Sequence, residues 1–289
     1  MTERKVALVL VTFNRLEILK TNLSYIERQT KNPDFIVIVN NGSTDGTTEF
    51  LITKSEFHII NKEENLGFGA GLAIGISYAK NSLNPEYFWL MDDDSFPTPQ
   101  VLSFLYDNAQ KINLNGALGI TGFDLKRGIP KEVDAGNRIT EVGFILADNA
   151  LVSKSAYDSV GNFRDDLFMM CEDYDFCLRL KKRGLFVGVV QSDEVKVDRK
   201  HLGSQPNSQG IIWRGYYHAR NHFLILRSNF SVENLFFYFY RQSKYLIHIA
   251  LFGKNKWDRF RFRILGIWHG IKGYTGKTLD PITLKISKN

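Results

Sequence analysis

Four short apolar runs at a regular rhythm constrain the fold of this chain more than any other feature. Val6–Val11 is unbroken and rich in β-branched residues, as a strand buried on both faces of a parallel sheet requires. Phe35–Val39, Phe57–Ile60 and Tyr87–Met91 repeat the pattern. Leu16, Leu19, Leu23 and Ile26 recur between the first two at helical spacing. Phe50 and Leu51 suggest a second helix, and Gly67 to Lys80 reads as a third despite its four glycines. Strand and helix alternating in this way predict an α/β chain with a parallel sheet and right-handed crossovers. Ligands bind such sheets at the carboxyl ends of the strands. Polar clusters fall at three of those ends, at residues 12–15, 40–45 and 92–94.

The second half is less regular. Val142–Ala147 and Ala150–Val152 read as strands around Asp148 and Asn149, followed by a helix from Glu172 to Gly184. Arg179, Lys181, Lys182 and Arg183 suit the C-terminal end of that helix dipole, and Gly184 suits its C′ position. Phe186–Val190 and Val195–Val197 follow as short strands, and helices are expected over 211–228, 231–252 and 257–272. The turn-forming stretch Gly203–Gly210 places a boundary between a catalytic domain, 1–205, and a C-terminal helical region, 206–289.

Charge divides near the same boundary. Residues 211–289 hold fourteen Lys and Arg against three acids, while residues 1–210 carry a net charge of −5. The same 79 residues hold 17 of the 38 aromatics, and a basic aromatic end suggests attraction to a polyanionic surface. Leu235–Tyr240, Tyr245–Phe252 and Trp257–Arg263 interleave rings with cations, which suits helices lying in a lipid interface. The alternative is that those faces pack on the catalytic domain or on a second copy in a homo-oligomer. Two cysteines, Cys171 and Cys177, supply no disulfide framework and no Cys-x-x-Cys zinc pair. No apolar stretch reaches the roughly eighteen residues a spanning helix needs. The Val6–Val11 core is too short for a signal peptide, so a cytoplasmic location is expected.

Asp92-Asp93-Asp94 is the sharpest chemical feature. Three adjacent carboxylates at a strand end repel one another, and a hard divalent cation such as Mg²⁺ or Mn²⁺ bearing substrate phosphates would offset that cost. Glu172-Asp173-Tyr174-Asp175 opens a helix, where carboxylates either cap free N–H groups or serve as a base beside the metal. His201 becomes a metal ligand only if its loop folds back over the triplet. The glycines at 67, 69, 71 and 75 form neither a P-loop nor a Gly-x-Gly-x-x-Gly turn, leaving close backbone approach to a ligand or a neighbouring strand. No Gly-x-Ser-x-Gly elbow supports a serine hydrolase.

Val-Thr-Phe-Asn-Arg (11–15), Val-Asn-Asn-Gly-Ser-Thr-Asp-Gly-Thr (39–47), Asn-Leu-Gly-Phe-Gly-Ala-Gly (65–71), Trp-Leu-Met-Asp-Asp-Asp (89–94) and Glu-Asp-Tyr-Asp-Phe (172–176) occur in this order. Together they resemble family-2 inverting GT-A glycosyltransferases, most closely bacterial galactofuranosyl- and rhamnosyltransferases. The resemblance implies a GT-A fold: a Rossmann-like, mostly parallel sheet flanked by helices, here followed by the basic aromatic helical region. It implies that Thr12, Asn14 and Arg15 line a nucleotide pocket, with Asn41 and Asp45 at the base end. The family often has Asp at 40 or at both 40 and 41, whereas both are Asn here; an Asn carbonyl at 41 still accepts from a pyrimidine N3–H. Asp92 to Asp94 match the family's Asp-x-Asp, whose outer carboxylates hold Mn²⁺ or Mg²⁺ and contact the ribose. Asp92 and Asp93 accordingly belong with the donor contacts, Asp92 and Asp94 with the metal. His201 falls where galactofuranosyltransferase-like members supply a metal-binding histidine, and Asp173 matches the general base.

The implied donor is UDP-galactofuranose, with dTDP-rhamnose as the alternative. The implied acceptor is a glycan or lipid-linked glycan at the inner face of the cell membrane. Two other classes compete on sequence grounds. A sugar-phosphate nucleotidyltransferase would need a Gly-rich, Lys- or Arg-bearing N-terminal loop, which this chain lacks. A noncatalytic nucleic-acid binder would leave the strand-end clusters and the acidic triplet without a purpose, so no nucleic-acid partner is expected.

Overall fold

The structure is a computed structural model that describes residues 4–126, 128–200 and 210–287. The chain divides into two compact units. The first comprises residues 1–124, 132–164 and 173–200, and the second 125–131, 165–172 and 201–289.

The first unit begins with β1 (Val6–Thr12), α1 (Leu16–Glu27), β2 (Phe35–Asn41), α2 (Thr47–Ile52), β3 (His58–Lys62), α3 (Phe68–Ser82) and β4 (Tyr87–Asp92). Strands β3, β2, β1 and β4 lie side by side and parallel, with Val9 opposite both Val37 and Leu90. Burial explains why the first strand reads as a continuous apolar run: all seven residues of β1 are buried, so neither face needs polar side chains. Leu8, Leu10, Ile38, Trp89 and Met91 pack with Leu19, Leu23 and Ile26 of α1. On the opposite face α3 lies close to β1 and β2. A Cβ on Gly71 would meet a Val11 methyl at 2.7 Å, and one on Gly75 would meet Val9 at 2.5 Å and Val39 at 3.0 Å. The glycines thus serve close approach to the neighbouring strands rather than a phosphate turn.

The chain continues through further elements, several of which the sequence pattern did not reveal. β5 (Ser95–Pro97) and α4 (Val101–Lys111) follow the acidic triplet, then β6 (Gly116–Gly119), β7 (Gly122–Lys126), β8 (Ile129–Glu132), β9 (Thr140–Glu141), β10 (Phe144–Ile145) and β11 (Ala150–Ser153). α5 (Lys154–Val160), α6 (Glu172–Lys182), β12 (Phe186–Val189) and β13 (Val197–Arg199) follow; of these elements, residues 125–131 of β7 and β8 belong to the second unit. The order of the eight-stranded sheet is β3-β2-β1-β4-β11-β6-β12-β9. β11 is inserted antiparallel to both β4 and β6, within the mostly parallel sheet that was expected. β13 pairs antiparallel with β5, setting Arg199 opposite Ser95 beside the triplet.

The second unit is built on α7 (Gly210–Ser228), α8 (Val232–Phe252) and α9 (Lys256–Lys272), each within two residues of the expected ends. α7 and α9 pack at short range, because Gly266 and Gly270 face the backbone carbonyls of Tyr216 and Arg220. A Cβ at either glycine would come within 3 Å of those oxygens. Phe168, Trp213, Tyr216, Tyr217, Phe262 and Leu279 form the apolar centre of this unit. Arg220 and Asn221, inside the aromatic run of α7, are fully buried. Arg220 donates to the carbonyls of Leu167 and Gly276, while Asn221 Nδ2 reaches those of Leu167, Met169 and Met170 at 2.7–2.9 Å. They hold a segment in which Phe168, Met170 and Cys171 all take left-handed backbone angles, of +62°, +74° and +71°. Each such non-glycine residue carries a backbone strain of order 1 kcal/mol that surrounding contacts must offset.

Candidate active site

The site is assembled at the carboxyl ends of β1, β2 and β4, where three loops meet. Thr12, the last residue of β1, is buried and donates its hydroxyl to Asp93 Oδ2 at 2.8 Å. The N–H of Phe13 reaches the same oxygen, and Arg15 Nη1 lies 2.7 Å from Asp93 Oδ1. Arg15 also pairs with Asp94 at 3.3 Å. Both oxygens of the middle carboxylate are therefore engaged by the 12–15 loop. Asp92 and Asp94 flank it, and one carboxylate oxygen from each of the three lies within 4.8 Å of the others.

Burial and mutual repulsion set the electrostatics of this cluster. Burial holds the Asp92 carboxyl well above the usual carboxylate range, and repulsion from Asp93 and Asp94 adds to it against the pull of Arg15. Asp93 is raised too, by burial that Arg15 and Thr12 only partly counter. Asp148 stands beneath the triplet: it accepts from the Asp92 N–H and from Ser95 Oγ, and it pairs with Arg199. Among the described residues Arg15 pairs with Asp93 and Asp94, and Arg199 is matched by Asp148. A hard divalent cation on the outer carboxylates fits this set, since it offsets their mutual repulsion and prefers oxygen ligands.

The remaining predicted residues take distinct places. Asn14, at φ +51°, donates its N–H to Ser43 Oγ, and its side-chain oxygen accepts from the Thr44 N–H, tying the 12–15 loop to the 40–46 loop. Asp45 accepts from the N–H of Leu16 at the start of α1 and from Thr47. Asn41 is buried and ties down a third loop, donating to the Gly67 carbonyl and accepting from the Leu66 N–H. His201 lies outside the described residues.

Asp173 sits in the first turn of α6, one side of a small apolar cavity lined also by Leu90, Ile145, Phe163, Phe176 and Cys177. Apolar burial pushes its carboxyl up to about 6, while the Tyr174 N–H, 2.7 Å from Oδ1, pulls the other way. A carboxylate held near 6 is ionised at neutral pH yet basic enough to take a proton. Asp175, two residues on, turns instead to Arg179 at 2.8 Å and to Arg164. The sequence reading did not separate the two aspartates by environment, and it missed Asp148, Ser95 and Arg199 altogether. Asp148 showed only as a polar break between strands, and nothing local to Arg199 points back to residue 148.

Comparison with known proteins decides the class. Residues 7–131, which carry the three strand-end loops, match the family described as Glycosyl transferase family 2. This stretch is a family-2 glycosyl transferase domain. The dTDP-rhamnosyl transferase RfbF of Shigella flexneri is 25% identical over 295 residues, covering 93% of this chain and 96% of that protein. The galactofuranosyltransferase GlfT1 of Mycolicibacterium smegmatis is 26% identical over 206 residues, covering 63% of this chain and 67% of that protein. A crystal structure of GalNAc-T7 with UDP, GalNAc and Mn²⁺ superposes with a TM-score of 0.64 at 12% identity, over 94% of this chain and 56% of that one. That likeness is one of fold, a mostly parallel sheet flanked by helices of the GT-A kind.

Proposed function

We propose that this chain is a metal-dependent inverting glycosyltransferase that moves a hexose from a nucleoside-diphosphate sugar to a hydroxyl of a glycan or lipid-linked acceptor. The observation that carries the reading is the clustered, mutually repelling Asp92–Asp94 carboxylates at the end of β4 in a family-2 domain. Asp92 and Asp94 are the residues that would hold Mn²⁺ or Mg²⁺. A cation bound there would supply positive charge for the diphosphate leaving group.

The chain's own residues carry the rest. Thr12 and Arg15 fix Asp93 and so hold the triplet's shape. Asn14, Asn41 and Asp45 hold the loops that would surround the nucleotide. Asp173 takes the proton from the acceptor hydroxyl, whose oxygen attacks the anomeric carbon opposite the leaving group. The bond from that carbon to the diphosphate oxygen breaks, its electron pair leaves with the nucleotide, and the configuration inverts. UDP-galactofuranose and dTDP-rhamnose are the donors to test first, since the two relatives described above are named for these sugars. Release of nucleoside diphosphate with sugar transfer to an acceptor hydroxyl supports the reading; release of pyrophosphate from a sugar phosphate and a nucleotide overturns it.

The second unit supports a membrane-surface role. No helix among the described residues is long and apolar enough to cross a membrane. Yet Phe236, Phe252 and Trp257 are 64%, 74% and 76% exposed on α8 and α9, among Lys254, Lys256, Arg259 and Arg261. Each cation near an anionic leaflet is worth about 1 kcal/mol. Co-sedimentation with phosphatidylglycerol vesicles, absent with phosphatidylcholine alone and lost at high salt, is the expected result. Equal indifference to both vesicles removes the membrane from the account.

A further inference from the structure

Within the second unit, α7, α8 and α9 enclose a cavity of about 290 Å³ that the donor chemistry does not use. Arg214 and His218 come from α7, Tyr245 and His248 from α8, and Arg259 and Arg263 from α9. No carboxylate lines it among the described residues. Arg263 is only 7% exposed. Its Nη1 donates to Gln242 at 2.8 Å and its plane lies 4.4 Å over the Tyr245 ring, but its Nε has no partner. His218 Nδ1, also buried, has none either. A buried guanidinium facing a cavity with no acid opposite is costly unless an anion enters.

A cation is the competing occupant, because Cys171, His218 and His222 bring one ligand atom each within 4.8 Å. Charge argues against it. Burial holds both imidazoles well below their usual range, and Arg241 and Arg263 press the same way. A divalent ion would meet the repulsion of those two guanidiniums, whereas an anion would relieve it.

We propose that this cavity is an anion site that receives the diphosphate of the acceptor substrate, gripped by Arg259, Arg263 and Arg214. Arginine presents a fork of N–H donors suited to phosphate oxygens, and His218 Nδ1 and the Tyr245 hydroxyl offer further polar contacts. The proposal rests on the glycosyltransferase reading for the word acceptor, but the anion site itself does not. The diphosphate could come from a lipid-linked sugar or from a free small molecule, and the exposed rings of α8 and α9 suit the lipid.

Calorimetric titration of the full chain in EDTA, which silences the acidic triplet, tests the site with sodium pyrophosphate and with farnesyl diphosphate. Wild type is expected to bind farnesyl diphosphate, and Arg259→Gln to weaken it about 10- to 100-fold, the value of one charged hydrogen bond. Arg259 is only half-buried, so this variant is expected to fold; Arg263→Gln, checked by circular dichroism, should weaken binding at least as much. Tighter binding of farnesyl diphosphate than of pyrophosphate supports the site with a lipid-linked source, and equal binding supports it with a free one. No binding of either probe by wild type, or Arg259→Gln binding like wild type, overturns it. Nucleotide binding with Mn²⁺, measured separately, distinguishes failure of this site from failure of the glycosyltransferase reading.

Discussion

Replacing Asp173 with Asn should make the protein more stable and much less active, and the two effects have one cause. The Asp173 carboxyl is raised from 3.8 to about 6 by the apolar cavity it lines. That difference of roughly two units corresponds to at most about 3 kcal/mol. The sign follows from the direction of the shift. Below about pH 4 the group is protonated in both folded and unfolded chains, so no cost arises. As pH rises through the folded value the native state must hold a charge that the unfolded chain hydrates freely, and stability falls by that amount. Asp173→Asn removes the charge, so its gain in unfolding free energy should be largest near about pH 8 and fade towards about pH 4. Urea denaturation at the two pH values measures the gain.

Activity should move the other way. Losing a positioned base costs about 10²- to 10⁴-fold in rate. Wild-type kcat/KM should decline tenfold per unit below about pH 6, and the variant should lack that limb. Near-wild-type turnover would remove Asp173 from the role of base. A variant no more stable than wild type at about pH 8 would refute the argument that burial raises the group.

Two further substitutions test the packing that positions the sites. Gly75→Ala forces a methyl against Val9 and Val39 and should cost about 1–3 kcal/mol in urea denaturation, while a neutral change would mean that α3 does not lie so close to the sheet. Asn221→Ala leaves the carbonyls of Leu167, Met169 and Met170 without their shared donor; a loss of about 1–3 kcal/mol is expected, and an unchanged midpoint would show that the strained segment is held by other contacts.

The elements that could be read from the sequence are those whose signal is local. α7, α8 and α9 follow a sustained helical period, and β1, β2 and β4 are apolar runs up to their polar carboxyl ends because both faces are covered. β11 is short and its place between β4 and β6 depends on pairing with residues about 35 and 60 positions away, which no local pattern encodes. The acidic triplet was visible as three adjacent letters, but the role of its middle member was not. Asp93 is the carboxylate that Thr12 and Arg15 grip, a fact fixed by the β1–β4 register rather than by spacing. Arg220 and Asn221, polar residues within an aromatic helix, are both fully buried because they bond main-chain carbonyls, which leave no trace in the sequence.

The central claim is that the strand-end cluster binds a nucleoside diphosphate through a divalent cation. Thermal unfolding with UDP or dTDP, in Mn²⁺, Mg²⁺ or EDTA, tests it most directly. The account predicts stabilisation by one of these nucleotides, about 2.7 kcal/mol at a hundredfold excess over Kd, that disappears in EDTA and in Asp94→Ala. No stabilisation by any nucleotide, or the same stabilisation with and without EDTA, would contradict it.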